Sequence, residues 1–519
     1  MKQLKYFFGV ILALAFTSCN DAIDITQKGE IDNDATFQSV EDLATFLNGD
    51  VYGRISNTNE ILFTAVFTDE CGIGPNNGGQ ELDLHQFVLN QSTGYASGLW
   101  ISHYGVINRV NRLLQAAANI TPVVNDTVDE TEQYNSILAE AKALRAYAYF
   151  QLLTYYSTDL SDDNALGVML FEDVPPIDVR LPRSTNGQVF ALIESDLAFA
   201  EANLVNRTGV TAYKYVSTNM INALRARMYL YRKNYTLAKQ YAQAVVSSGP
   251  ALTIATPVPT GTVGGPAWNT AFYSETTTTN PYRRIWADLS QGETIFALSR
   301  PTGGSWGNIA SGFFFNTTSA TGGAFLDMGR NLFDLLAETN GDIRRRAFVD
   351  PTSLIAANPL TLDNPNRDDV LVIDKYPGKP TQPLRNDLKI FRMSEMYFIL
   401  AECAVAENQL AVAAGYIKNI RDARSFTGAQ PLPVYADQQQ AWADILKERR
   451  KELCFEGHRY IDIKRLGPVA NKSIDRSVID DIIQTLPTTI PNNDYRFTMP
   501  IPQDEIQGNP NIQQNPGYN

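Results

Sequence analysis

The chain has 519 residues, of which 44% are hydrophobic and 19% charged, the make-up of a globular protein with a large core rather than of a disordered or fibrous chain. With 43 Lys+Arg against 56 Asp+Glu the net charge is −13, and no basic stripe offsets it, which argues against nucleic acid or anionic lipid as a partner. Three His and four Cys argue against a His-rich metal centre and against a disulfide scaffold.

Lys2 and Lys5 precede an apolar run from Tyr6 to Phe16. The run is shorter than the roughly 20 apolar residues that span a bilayer, so it reads as a secretory signal. It ends in Phe16-Thr17-Ser18-Cys19. A Cys directly after small residues resembles the lipobox of bacterial lipoproteins, with Phe16 standing where Leu or Val is usual. The resemblance implies removal of residues 1–18, acylation of Cys19 and a tether over 19–34, leaving a net charge of −15. Acyl chains at about 0.8 kcal/mol per buried CH₂ anchor a protein without any membrane-spanning helix. Asn20, Asp21 and Asp24 resemble the surface-export signal of Bacteroidetes lipoproteins. Cys71, Cys403 and Cys454 remain, an odd number, and Cys403 and Cys454 are expected as buried, small hydrophobes on helices.

Hydrophobic periodicity predicts helices over 35–55, 100–118, 133–157, 187–204, 217–232, 235–248, 389–407, 409–424 and 439–456. Trp100 and Trp442 fall on these and are expected in the core. Gly-, Asn-, Thr- and Pro-rich stretches over 71–98, 250–325 and 351–387 are expected to be functional loops. In Ile221–Pro250, Ala226, Tyr229, Ala238 and Pro250 stand at tetratricopeptide-repeat spacing, and Ala401 and Ala413 repeat the same separation. Small residues let paired helices approach while aromatics fill the next layer, so such pairs must stack.

The charge-dense run Glu448, Arg449, Arg450, Lys451, Glu452 with Asp462 is expected as a solvated face plus a structural ion-pair network. His458 reads as a packing residue, and His85 and His103 lack partners at metal-ligand spacing. Asp159, Asp162, Asp163 and Asn164 offer oxygen to a hard cation, in an order unlike an EF-hand. No cofactor is expected, and a structural Ca²⁺ stays open there. Gly303-Gly304-Ser305-Trp306-Gly307 lacks the Lys-Ser/Thr ending of a P-loop, and no Gly-x-Ser-x-Gly elbow occurs, so nothing positive supports an enzyme.

Ligand binding is expected in the loops. Sugar rings offer apolar faces to aromatic planes, and their hydroxyls need amide, carboxylate and guanidinium partners. Trp268, Tyr273, Tyr282 and Trp286 fall within nineteen residues, with Arg283 among them, and Trp306 and Phe313–Phe315 follow. Trp268 and Trp306 are expected to be exposed, given Gly264-Gly265-Pro266 and Gly303-Gly304 beside them. Asn76, Asn77 and Gln80 are further candidates in the 71–80 loop.

Ala141–Tyr156 (AKALRAYAYFQLLTYY), Phe391–Ala404 (FRMSEMYFILAECA), Glu448–Arg465 (ERRKELCFEGHRYIDIKR) and Phe497–Tyr518 (FTMPIPQDEIQGNPNIQQNPGY) each resemble signature blocks of the RagB/SusD family, as does Leu326–Phe348. The resemblance implies a mostly α fold, with about four tetratricopeptide-like helix pairs and a loop-rich ligand-binding half, over one domain from 35 to 519. Its parts would be an N-terminal half to about 250, a loop-rich 251–325 and a C-terminal half from about 326. It implies a non-enzymatic, surface-exposed outer-membrane lipoprotein that captures oligo- or polysaccharide as the hinged lid of a SusC-like TonB-dependent transporter, with the helical side facing the barrel. An oligopeptide ligand is the alternative within the family, and a surface glycan hydrolase the alternative outside it.

Overall fold

The computed structural model describes residues 36–176, 178–274, 276–304, 306–313, 323–379 and 381–518. Cys19, the signal run and the tether lie outside them, as do Phe314 and Phe315. The helices of seven residues or more are α1 (Val40–Phe46), α2 (Thr58–Phe67), α3 (Gly94–Ala117), α4 (Thr131–Tyr156), α5 (Asn186–Asn203), α6 (Thr218–Tyr231) and α7 (Tyr235–Ser248), then α8 (Pro266–Tyr273), α9 (Arg330–Ala337), α10 (Met393–Ala406), α11 (Leu410–Arg424), α12 (Gln438–Leu453) and α13 (Arg459–Ala470). Polar caps start many of them: Ser39, Thr185, Ser217, Asn234 and Asp437 each accept from a backbone N–H of the first turn.

The mostly helical architecture is the one expected. α3 packs on α4, α4 on α5, α6 on α7, α10 on α11 and α12 on α13, while α7 against α10 joins the two halves of the chain. Ala226, Ala238, Ala401 and Ala413 are fully buried, and Tyr229 stacks on Tyr241 at 5.8 Å between ring centroids. Small residues at the crossing points and aromatics between them account for the close pairing. Trp100 and Trp442 are core residues, and Cys71, Cys403 and Cys454 are buried free thiols.

Four short strands hold distant segments together. β1 (Cys71–Ile73) pairs antiparallel with β3 (Leu326–Met328), Cys71 opposite Met328, and β2 (Thr294–Leu298) pairs antiparallel with β4 (Leu388–Arg392), Leu298 opposite Leu388. The predicted helix over 389–407 therefore begins as a strand, because Leu388–Arg392 finds its backbone partners in β2. The predicted helix over 35–55 is interrupted by a π turn at Leu47–Val51. α2, α8, α9 and α13 form where no helix was predicted.

The run at 448–462 is the largest departure. Glu448, Arg449, Glu452 and Asp462 are at most 2% exposed, so the expected solvated face is buried and only the ion-pair network remains. Glu452 accepts from Arg392 at 2.7 Å and from Arg424 at 2.9 Å, and Arg344 approaches its other oxygen at 3.3 Å. Burial alone would raise the Glu452 carboxyl, but Arg424 and Arg392 hold it well below the usual carboxylate range. Arg424 and Arg392 also share Glu293 on the approach to β2, and Arg449 pairs with Asp462 on α13. Buried charges persist only when matched in this way.

Candidate functional site

The segment 264–286, expected as an aromatic loop, folds into α8 and a second helix over Pro281–Trp286, each with Pro in its first turn. Their apolar faces turn inward, which corrects the expected exposure. Trp268 is 2% exposed and stacks on Phe272 at 4.8 Å. Tyr282 and Trp286 are fully buried: the Tyr282 hydroxyl donates to Glu452, and the Trp286 ring meets Phe348 and Tyr376 edge-on with the Lys375 ammonium 4.4 Å above it. Arg283, 3% exposed, donates to Asp374 at 2.7 Å and covers the ring of the half-buried Tyr273 at 4.3 Å. Trp268, Tyr282, Arg283 and Trp286 are therefore core side chains closed to a ligand, while Tyr273 keeps part of its surface open.

Trp306 is different. Its ring is half-buried, within 4.0 Å of where a Cβ on Gly53 would sit, and the Arg300 guanidinium lies 5.4 Å from its centre. Arg385 holds the surrounding loop by its main chain, donating to the carbonyls of Pro301, Thr302, Gly304 and Trp306. Arg300 in turn donates to the Ile55 carbonyl at 2.7 Å, and burial lowers its pKa to about 10. Phe313 is buried.

Asn76 and Asn77 separate. Asn77 is 2% exposed and donates to the Phe325 carbonyl at 3.3 Å, so it is an internal tie and not a surface group. Asn76 is exposed, and its backbone N–H donates to Ala324. The 71–80 loop is thereby stitched to the segment entering β3.

Beyond it, residues 79–95 enclose an open cleft of about 720 Å³ with Asn59 on its other wall. Leu84, His85 and Phe87 anchor this loop in the core, His85 through Asp481 and the Cys71 carbonyl, Phe87 beneath the Arg476 guanidinium at 4.4 Å. Burial keeps the His85 ring below its ordinary pKa, as does the positive charge of Arg476. Glu81 (φ 60°) and Phe87 (φ 63°) take left-handed backbone, a strain such a framework must hold in place. The anchored apolar residues leave Gln80, Glu81, Asp83 and Asn90 facing the cleft with Tyr95. The Tyr95 hydroxyl donates to Glu81 at 3.2 Å, and burial raises the Glu81 carboxyl above its ordinary value.

One aromatic ring among amides and carboxylates is the donor set that a polyhydroxylated ring requires. Six residues of chain separate Gly53, under Trp306, from Asn59 in the cleft wall, so the two lie within about 20 Å. Sequence reasoning placed the 71–98 stretch among the functional loops and named Gln80, but missed Tyr95, Asn59 and Asn90. Their convergence is made by tertiary contacts that no local spacing encodes.

The remaining polar candidates are structural. Asp159 and Asp162 accept from backbone N–H groups of their own turns, and Asp163 pairs with Arg232. His103 is hydrogen-bonded to Glu60 inside the core. Among the described residues no group of three or more His, Cys, Asp or Glu is placed to hold a metal ion.

A model of the SusD family matches residues 374–518, and a second family model, described as starch-binding and associating with the outer membrane, matches residues 24–230. SusD-like protein P2 of Formosa agariphila is 23% identical over 561 aligned positions that take in 100% of both chains. A SusD superfamily protein of Bacteroides thetaiotaomicron has the same fold, with a TM-score of 0.70 at 23% identity over 92% of this chain and 100% of its own. A protein described as a laminarin binding SusD-like protein overlays at a TM-score of 0.64 and 22% identity, over 93% of this chain and 100% of its own.

Proposed function

The chain is a SusD-like family member, and on that premise we propose that it is a cell-surface glycan-binding lipoprotein that hands its ligand to a SusC-like TonB-dependent transporter. The observation that carries the glycan reading is the cleft at 79–95, where Tyr95 stands among Asn59, Gln80, Asp83 and Asn90. The laminarin binding neighbour supports it by analogy of fold. Residues 35–519 act as one unit, with 1–18 removed and 19–34 as the tether. Lipid on Cys19 is the anchor, in keeping with the outer-membrane description of the second family model. Among the described residues no helix is long and apolar enough to cross a membrane.

As a lid the protein hinges as a rigid body, and ligand shifts the closed population only by its differential affinity for that state. Lid-to-barrel crosslinking distances that are the same with and without ligand would contradict this.

Calorimetric titration of the chain from Asn20 onward against plant, host and microbial polysaccharides and a peptide mixture tests the ligand class. One glycan bound by the wild type, and lost in Tyr95→Ala and Trp306→Ala, is the expected result. Binding of peptides alone would replace glycan by oligopeptide, and turnover of a glycan would replace the binding protein by an enzyme.

A further inference from the structure

We infer that the glycan site continues past the loop cleft into a second, aromatic cleft beside it, so that this protein discriminates by chain length. The inference rests on the glycan reading above and adds to it a second place where sugar is held.

The second cleft, of about 540 Å³, lies between α3, the segment 169–180 and the last helical turns at Gln503–Gly508. Its floor is aromatic. Trp100 and Tyr104 meet at 4.9 Å between centroids, Tyr104 meets Phe171 edge-on at 5.9 Å, and the Trp100 indole N–H is fixed by Glu505 at 3.2 Å. Ile101, at the cleft on the outer side of α3, is 56% exposed, an apolar side chain left uncovered on a helix whose other large hydrophobics are buried or packed.

The walls carry unspent hydrogen-bonding capacity. Arg54 lies across Gly105, where a Cβ would come within 2.8 Å of its Nε, so α3 has a glycine at the point where the guanidinium crosses it. Arg54 is exposed on the cleft wall, and among the described residues its guanidinium has no ion-pair or hydrogen-bond partner. Asn108 uses its oxygen on Arg112, which leaves its amide nitrogen free, and Asp504 is exposed on the opposite wall. A cation, an amide donor and a carboxylate around an aromatic floor suit a ring with one apolar face and hydroxyls that both donate and accept. A purely apolar ligand would strand these groups.

The two clefts are neighbours. Ser92 lines the first and donates to Gln503 at 2.5 Å, and the next residue, Asp504, lines the second. Tyr95 and Ile101 are six residues apart on α3, about 9 Å along its axis. A disaccharide is held by the loop cleft alone, and a longer chain crosses the Ser92–Gln503 contact into the aromatic cleft.

The test is titration of the chain from Asn20 onward with gluco-, galacto-, manno- and xylo-oligosaccharides of increasing length, from disaccharide to hexasaccharide. It is repeated with Ile101→Arg and, as a milder change that only truncates one half-buried amide, with Asn108→Ala. Wild-type affinity should rise about tenfold or more along the series that binds, and both variants should flatten the rise to within about threefold while leaving the disaccharide unchanged. The same length dependence in the variants as in the wild type overturns the inference and leaves the loop cleft standing. Loss of all binding in Tyr95→Ala, with the variants at 101 and 108 unaffected, does likewise. No binding of any series by the wild type overturns the glycan reading and the inference together.

Discussion

Arg392 on β4 and Glu452 on α12 meet at 2.7 Å with side chains 2% and 0% exposed, and through them a strand that enters one helix pair is bonded to the heart of another. Arg424, Arg344 and Tyr282 converge on the same carboxylate. Glu452→Ala removes the acid that three buried guanidiniums share, leaving Glu293, Glu456, Asp342 and Glu448 to balance them, and the uncompensated charge should cost about 3–5 kcal/mol. Urea unfolding measures it, and a loss below about 1 kcal/mol would show that the network is not holding β4, α11 and α12 together.

Trp286 and Trp306 should part company. Trp286→Ala empties a buried, aromatic-walled space and should cost about 3–5 kcal/mol of stability with no selective effect on ligand. Trp306→Ala removes a half-exposed ring and should cost less than about 1 kcal/mol while weakening glycan binding about tenfold. Thermal unfolding and calorimetry on the two variants give the four numbers needed.

Glu70 is fully buried, and burial pushes its pKa up to about 8. Burial likewise raises Asp480 to about 7. Unfolded, both lose their protons near pH 4. Between that pH and about 8 the native state holds more protons than the unfolded state, so their contribution to stability falls as pH rises and levels off above about 8. The melting temperature should fall between pH 5 and pH 8.5, and Glu70→Gln should shrink that fall. A variant with the wild-type slope would put the proton elsewhere.

Cys71, Cys403 and Cys454 are buried, and burial pushes the Cys403 and Cys454 thiols up to about 12 and Cys71 higher than its ordinary value. None should react with a thiol-specific disulfide reagent in the folded chain from Asn20 onward, and all three should react in denaturant. A thiol that reacts within minutes under native conditions would mean that its segment opens.

The helix pairs were legible because their signal is local. Small residues at Ala226, Ala238, Ala401 and Ala413 repeat at a fixed spacing, and the structure buries each of them. α13 was not, since Arg459–Ala470 mixes buried charge with apolar residues and carries no clean stripe. β4 was misread as helix because its partner, β2, lies some ninety residues away in a stretch with no strand-like neighbours. The clustered aromatics at 268–286 suggest stacking surfaces from sequence, and the structure turns Trp268, Tyr282 and Trp286 into the core. The same rings that suit sugar stacking are also the best core fillers, and sequence cannot say which face of a short helix finds the interior. Tyr95 and Asn90 went unnamed for the opposite reason, being ordinary residues that matter only where the chain brings them.

Arg385 grips the 301–306 turn through four peptide oxygens and through none of its side chains. Such a grip is blind to what those residues are, provided the backbone path is kept. The turn around Trp306 is therefore a cassette: its side chains can be exchanged while the clamp keeps the backbone that carries them in the old place.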